Sequence, residues 1–280
     1  MREINVTKIK DAVSELCLKA NFELRKDILR ALKAALKKET NERSCAILGT
    51  IIENAQTARS KKLAICQDTG MVYVHLDIGQ QVALTGGSLR KAVDEGVKEA
   101  YAKGYLRKSV VADPFIRENT KTNEPAILVT DIVDGDRMVI EVSPKGFGSE
   151  NKSRIKMFKP TASIDEIKAF VIDVVKLAGP DACPPLVLGI GIGGTFETAA
   201  ALAKKALLRS IDKSNPKRHI AKLEKELVKE INALGIGPMG LSGKTTVLGV
   251  NILEHPVHIA GLSVAVNVSC HATRSATRTI

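Results

Sequence analysis

Apolar residues recur at helical spacing through the first part of the chain. From residue 8 to about residue 60 they follow a period near 3.6 and leave a lysine-rich polar face, which predicts three short helices. Alternating apolar and polar positions follow at residues 62–78, with a glycine-containing turn in the middle. This pattern predicts a strand at Ala64-Ile65, a turn at residues 66–70, and a second strand.

The remaining chain mixes helix and strand signals. Residues 88–103 begin with an N-cap serine and end before a glycine, and residues 163–178 begin with a capping box, so both are predicted helices. Residues 126–142 predict two antiparallel strands around an Asp-Gly-Asp turn. The later predictions are a strand at 186–192, helices at 195–210 and 216–233, and strands at 246–253 and 259–268. The fold class is α+β: a helical N-terminal layer followed by mixed β-sheets with packed helices.

Length and composition set the wider limits. The chain has 280 residues, 44% of them hydrophobic, which is enough for a sizeable core. We expect one domain over residues 1–280, with residues 1–60 as a helical preface. The sequence has no apolar run long enough to span a bilayer, and its first residues lack the apolar region of a signal peptide. We therefore expect a cytoplasmic protein that does not bind membranes.

The net charge of +11 admits two interpretations. A basic RNA-binding protein is one, because phosphate binding requires positive charge. With three Tyr, six Phe and no Trp, however, aromatic platforms for stacking bases are scarce, and the basic residues are spread along the chain. We therefore expect no nucleic-acid partner. The basic surface instead suits the attraction of a small anionic substrate.

Five cysteines are an odd number for a disulfide framework. Cys17 and Cys45 fall in stretches of helical period, which predicts structural burial. Cys66, Cys183 and Cys270 each lie in a turn beside an apolar strand, and no two of them form a C-x-x-C pair, which excludes a zinc ribbon. Spacing alone leaves open whether these three are chance buried thiols or ligands of a shared site.

Four segments together resemble class I fumarate hydratases and the related L-tartrate dehydratase α subunits, over almost the whole chain. They are Cys66-Gln67-Asp68-Thr69-Gly70, Lys145-Gly146-Phe147-Gly148-Ser149-Glu150-Asn151, the stretch from Cys183 to Thr195, and Val266-Asn267-Val268-Ser269-Cys270. The resemblance implies a 4Fe-4S cluster as cofactor, held by Cys66, Cys183 and Cys270. It also implies that a β subunit completes the active site, and we expect an α2β2 assembly.

The same resemblance assigns substrate residues. Gln67 and Asp68 would contact the substrate, with Asp68 catalytic; a local turn bond is the structural alternative for Asp68. Arg107 would bind a carboxylate of a small dicarboxylate, unless it is an ordinary surface arginine. Gly148 would let backbone N–H groups approach an anion. His258 would be catalytic, although a lone histidine is often structural.

These residues predict the α subunit of a hydro-lyase that hydrates fumarate reversibly to (S)-malate, with L-tartrate dehydration as the alternative. A rival NAD-binding oxidoreductase rests on glycines at positions 189, 191 and 194, with Asp212 downstream, as in a dinucleotide fingerprint. Residues 240–245 resemble the end of a P-loop, but Pro238 stands where that pattern requires glycine. We disfavour both nucleotide sites.

Overall fold

The computed structural model describes residues 1–280, and the chain divides into two compact units. The first unit consists of Met1–Arg25, Asn54–Phe147 and Arg274–Ile280. The second consists of Lys26–Glu53 and Gly148–Thr273. Each unit has its own mixed four-stranded sheet, helices and hydrophobic core, which confirms the α+β class. The single domain over residues 1–280 stays a prediction.

The α-helices and strands follow one another along the chain in this order. They are β1 (Arg2–Asn5), α1 (Val6–Phe22), α2 (Lys26–Lys38), α3 (Glu42–Lys61), β2 (Met71–Gly79), β3 (Val82–Thr85), α4 (Leu89–Lys103), β4 (Ile127–Val133), β5 (Met138–Lys145), α5 (Phe147–Glu150), β6 (Arg154–Phe158), α6 (Ile164–Ala178), β7 (Leu186–Gly193), α7 (Phe196–Ala206), α8 (Arg218–Asn232), β8 (Val247–His255), β9 (Leu262–Ser269) and β10 (Ala276–Thr279).

The predicted helices are present, and the capped ones begin and end within one residue of the prediction, whereas α7 ends at Ala206 and not at residue 210. Ser88 accepts a hydrogen bond from a backbone N–H in the first turn of α4, and Gly104 closes that helix. The capping box of Ser163 and Glu166 starts α6, and Gly179 ends it with a positive φ of 49°. None of the helices combines the length and apolar character needed to cross a membrane.

The main sheet of the first unit has the strand order β10-β5-β2-β4. Strand β2 is antiparallel to β5 and parallel to β4. Its residues Val72, Val74, Leu76 and Ile78 all join the core that α1 and α4 cover, because every second side chain of a strand points to the same face. The turn that contains Cys66 leads directly into this buried central strand.

The hairpin predicted at residues 126–142 is wrong in its pairing. Both strands exist, as β4 and β5, but β2 lies between them and bonds to each. Backbone N–H groups of residues 79–81 donate to carbonyls within residues 133–137, so the Asp-Gly-Asp turn wraps around the end of β2. A local pattern marks strands, but it does not show that a third strand lies between them.

The strand predicted at Ala64-Ile65 does not form. The backbone of Ile65 pairs with helices instead: its N–H donates to the Asn21 carbonyl, and its carbonyl accepts from the Asn54 amide. Four short strands that the pattern did not indicate are also present, namely β1, β3, β6 and β10. Strands of four or five residues contain too few alternating positions to be recognised.

The sheet of the second unit has the order β6-β9-β7-β8. Strands β7 and β9 are antiparallel, with Val187 opposite Ser269, so the start of β7 lies beside the end of β9. Cys183 precedes β7 and Cys270 follows β9. The topology of this unit therefore brings the turns of these two cysteines to the same end of the sheet.

Strands β7 and β8 are parallel neighbours, and the chain between them passes through α7 and α8. Gly189 and Gly191 lie within β7, beneath α7. A Cβ at Gly189 would stand 2.1 Å from the Ala203 carbonyl oxygen, and one at Gly191 would stand 2.0 Å from that of Ala199. These two glycines allow the helix backbone to lie directly against the strand.

Candidate functional site

The Cys66 turn is held by the side chain of Asp68. One carboxylate oxygen of Asp68 accepts the Gly70 N–H at 2.9 Å, and the other accepts the Phe147 N–H at 2.8 Å. The first of these bonds is the local turn bond that the sequence allowed. Asp68 and Cys66 are half-buried, and Gln67 between them is exposed. The arrangement fixes the backbone while leaving Gln67 open to a ligand.

Further hydrogen bonds brace this turn from within the first unit. The buried Tyr101 hydroxyl donates to the carbonyls of Thr69, at 2.6 Å, and Gly70, at 3.0 Å. Burial raises the pKa of Tyr101, so the hydroxyl keeps the proton that it donates. The Asn123 amide donates to the Gly70 carbonyl at 3.1 Å. These supporting residues are distant in sequence, and no motif indicated them.

Arg107 is joined to the same turn by its backbone. The Thr69 hydroxyl donates to the Arg107 carbonyl at 2.6 Å. The Arg107 side chain itself is exposed. Its position is thus fixed at the main chain, and its guanidinium is available for a carboxylate.

Arg274 is a buried neighbour of the turn that the sequence did not reveal as functional. Only 4% of the residue is exposed. Its Nε donates to the Pro144 carbonyl at 3.3 Å, and its Nη2 donates to the Asp68 carbonyl. Its Nη1 is buried and has no hydrogen-bond partner in the chain.

The two glycines of the Gly-Phe-Gly segment have different surroundings. A Cβ at Gly146 would stand 3.1 Å from the Asp68 carboxylate, so Asp68 accounts for that glycine. A Cβ at Gly148 would lie 3.6 Å from the Asp181 carbonyl oxygen, which is an ordinary contact. Packing within the chain therefore does not require glycine at 148.

In the second unit, His271 connects the turns of Cys183 and Cys270. Its backbone N–H and its Nδ1 donate to the Cys183 carbonyl, at 3.3 Å and 3.0 Å. Cys183 has a left-handed backbone conformation, with a φ of 54°. Thr273 donates to the Cys270 carbonyl from its N–H and its hydroxyl. Both cysteines thus lie in tightly bonded turns at one end of the sheet.

His258 lies in the connection between β8 and β9 and is exposed. Its Nδ1 accepts the Ala260 N–H at 3.2 Å. A ring nitrogen that accepts carries no proton, so the neutral imidazole presents its N–H at Nε2. The turn thereby sets the tautomer of a histidine that is open to solvent.

The five cysteines differ in their exposure and in the backbone that carries them. None of the five is in a disulfide, and Cys66, Cys183 and Cys270 are half-buried in turns. Cys17 is completely buried in α1, where burial raises its thiol pKa. Cys45 is half-buried but lies inside α3. Soft thiolate donors suit an iron-sulfur cluster, so the three turn cysteines fit this cofactor and Cys17 does not.

A separate polar group connects β2 and β4 in the first unit. The Nε2 of His75, which is 1% exposed, lies 3.0 Å from an Asp77 carboxylate oxygen and 3.4 Å from one of Asp131. Burial, followed by the charges of nearby carboxylates, raises the pKa of Tyr73 to about 12. None of the predicted site residues belongs to this group.

The two nucleotide patterns have structural explanations in the second unit. Gly189 and Gly191 serve helix packing, and Asp212 precedes α8 and pairs with Arg30 instead of following the next strand. The P-loop-like turn is held by Glu39, whose carboxylate accepts the Lys244 N–H at 2.7 Å. Neither pattern forms a nucleotide loop.

Comparison with known proteins gives matches over nearly the whole chain. Residues 10–279 match the family described as fumarate hydratase (Fumerase). A Methanocaldococcus jannaschii protein provisionally named L(+)-tartrate dehydratase subunit alpha is 44% identical over 281 residues, covering 98% of each chain. The L(+)-tartrate dehydratase subunits alpha of Escherichia coli UTI89 and Shigella boydii serotype 4 are each 32% identical over 275 residues, covering 97% of this chain and 90% of theirs.

Proposed function

Because the chain belongs to the fumarate hydratase (Fumerase) family, we propose that it is the cluster-binding α subunit of an iron-sulfur hydro-lyase that acts with a β subunit. The observation that carries the proposal is the family match over residues 10–279. The hydro-lyase class follows from that match, and the α-subunit role follows from the names of the relatives. We further propose a cytoplasmic α2β2 assembly.

The residues that would hold the cofactor are Cys66, Cys183 and Cys270. Their placement in turns and their partial exposure support this role, and the burial of Cys17 supports its exclusion. When bound, a 4Fe-4S cluster with three cysteine ligands keeps one iron without a cysteine, and that iron supplies a Lewis acid for the hydroxyl that enters or leaves. The chain itself supplies rigid backbone around each thiol.

Four residues would bind the substrate. Arg107 would form paired hydrogen bonds with one carboxylate, since a guanidinium fork matches its geometry. Gln67 would donate from its exposed amide, and Gly148 would leave room for an anion beside the backbone. Asp68 would orient the substrate hydroxyl while its carboxylate keeps the turn in place.

His258 would be the second catalytic group of this chain. Its exposure and its fixed Nε2–H support a role as a hydrogen-bond donor to the substrate. Removal of water also requires a group that exchanges a proton with the neighbouring carbon. We assign that group to the β subunit.

The substrate class is a four-carbon dicarboxylate. We propose reversible hydration of fumarate to (S)-malate as the reaction. L-tartrate dehydration is the second candidate, and the names of the relatives favour it. Both reactions move a hydroxyl and a proton on adjacent carbons between two carboxylates, so the same residues serve either one. The basic charge of the chain suits such dianions.

The proposal is tested by expressing the chain together with its β subunit and purifying the complex without oxygen. Fumarate, (S)-malate and L-tartrate are then supplied separately, and the products are measured. We expect turnover of fumarate and (S)-malate, and turnover of L-tartrate alone would identify the second candidate. A cluster-containing complex that converts none of them would contradict the hydro-lyase function.

A further inference from the structure

Arg274 is a buried cation, and all of its hydrogen bonds in the chain are to neutral groups. Its acceptors are the carbonyl oxygens of Pro144 and Asp68, and no carboxylate pairs with it. The residue is 96% buried, since 4% of it is exposed. Removing a charge from water is unfavourable unless an opposite charge compensates it. Within the chain, Arg274 therefore has hydrogen bonds but no ion pair.

The unsatisfied nitrogen of Arg274 leads to the same conclusion. Nε and Nη2 are bonded, while Nη1 is buried and has no acceptor. A guanidinium with two of its nitrogens fixed cannot turn to find another partner. An unmade bond at a buried charged group costs free energy, so Nη1 marks a place for an acceptor from outside the chain.

Arg274 lies beside the turn of one proposed cluster ligand. The Asp68 carbonyl that Nη2 binds belongs to the turn of Cys66, and Arg274 itself follows Cys270 by four positions. The hydrogen bond thus joins the segment after one proposed ligand to the turn of another. Three thiolates outweigh the usual positive charge of a 4Fe-4S core, so the core and its ligands together form an anion.

We propose that Arg274 is a positioning residue for the cofactor site. Its guanidinium fixes the backbone of the Cys66 turn, and its buried charge balances the anionic cluster with its thiolates. This inference rests on the proposed function, because it requires that the cluster binds. It adds to the site a residue that does not ligate the cluster.

Two substitutions separate the roles of the charge and the hydrogen bonds. Arg274→Lys keeps the charge and removes the fork, whereas Arg274→Gln keeps an N–H donor and removes the charge. Arg278→Gln is the matched control. Arg278 lies in β10, four residues after Arg274, and it is exposed and pairs with Glu15. Thermal unfolding by circular dichroism verifies that each variant folds.

The first measurement is hydrogen exchange of the backbone amides at residues 66–72 in chains prepared without iron. We expect roughly tenfold faster exchange in Arg274→Gln, because a charge-assisted bond to the turn is lost. Residues 186–193 of β7 serve as an internal reference. Unchanged exchange at residues 66–72 would overturn the positioning role.

The second measurement is iron and sulfide per chain, with the reduction potential of the cluster, after anaerobic reconstitution. We expect Arg274→Gln to retain less than half the wild-type cluster and to be harder to reduce, with Arg274→Lys close to wild type and Arg278→Gln unchanged. If the wild-type chain takes up the cluster, and Arg274→Gln shows the same cluster content and the same reduction potential, the charge role alone is overturned. A wild-type chain that binds no iron would overturn the proposed function and the charge role with it.

Discussion

At the scale of single residues, backbone position distinguishes the thiols. Cys66, Cys183 and Cys270 lie in turns whose main-chain groups are bonded to fixed partners, so each thiol is held in place at partial exposure. Cys17 points into the core, where burial opposes the thiolate form. A metal ligand requires the first environment. Hydrophobic packing explains the second.

Serine substitution tests this distinction. We expect Cys66→Ser, Cys183→Ser and Cys270→Ser each to lose most of the bound iron, because a hydroxyl is a poor replacement for a thiolate. Cys45→Ser is the control, since Cys45 has similar exposure but lies within a helix. Iron per chain measures the effect. Equal iron in all four variants would show that these cysteines are not the ligands.

Arg107 gives a second prediction at this scale. Replacing it by alanine should raise KM for the dicarboxylate by roughly ten- to a hundredfold, the value of a hydrogen-bonded charge pair. Cluster content should stay the same, because only the Arg107 carbonyl contacts the Cys66 turn and alanine keeps that group. Lys108→Ala, a neighbouring exposed cation, should leave KM near wild type. Steady-state kinetics with the β subunit measure both variants, and a loss of iron from Arg107→Ala would indicate a structural role.

At the scale of elements, the contact between α7 and β7 depends on glycine. Gly189→Ala would force a Cβ against the Ala203 carbonyl, and we expect it to lower the free energy of unfolding by about 1–3 kcal/mol.

Gly148→Ala meets only an ordinary contact, so its free energy of unfolding should change by less than about 0.5 kcal/mol while its activity falls. Urea unfolding and kinetics separate the two effects. If Gly148→Ala loses activity only to the extent that it loses folded protein, the ligand role of Gly148 is contradicted.

Glu39 connects the end of α2 to the turn before β8. Its carboxylate accepts N–H bonds from Thr40, Asn41 and Lys244. Burial raises the pKa of Glu39, but the three hydrogen bonds and the charge of Lys244 lower it by more. The pKa of the folded state therefore lies below the ordinary value. Since the folded pKa is the lower one, this stabilisation is complete above the unfolded pKa of about 4.3 and is lost as the pH falls through the folded value.

Glu39→Gln tests that account. At pH 7 we expect it to lower the free energy of unfolding by about 1–3 kcal/mol, because the charge-assisted bonds are weakened. The difference from wild type should narrow below a pH of about 4, where the wild-type carboxyl becomes protonated. Urea unfolding at several pH values measures it. A difference that does not change with pH would show that the charge contributes nothing.

The elements also show how far local pattern determines the fold. Capping residues such as Ser88 and Ser163 act within one turn, so the sequence predicted their helices and the ends of those helices. Pairing acts between distant segments, and the insertion of β2 between β4 and β5 left no local signal. Ile65 looked like a strand residue because a short apolar run is ambiguous until its backbone partners are known.

At the scale of the whole molecule, the same difference applies to the candidate site. Cys66, Cys183, Cys270, Gln67 and Asp68 belong to contiguous segments with a recognisable resemblance, and the same resemblance indicates Arg107 by its position. Arg274 and Tyr101 donate to backbone carbonyl groups of a distant turn. Because every residue has a backbone carbonyl, no residue type in the sequence marks these partners. Sequence therefore indicated the groups proposed to meet the ligand, while the residues that hold them in place emerged from the folded chain.

The prediction on which the proposed function depends is that this chain binds an iron-sulfur cluster that serves the addition and removal of water. Its most direct test is the content of iron and acid-labile sulfide per chain after strictly anaerobic purification and reconstitution. We predict about four of each, with a brown colour that fades in air. A folded chain that stays colourless and takes up neither iron nor sulfide would contradict it.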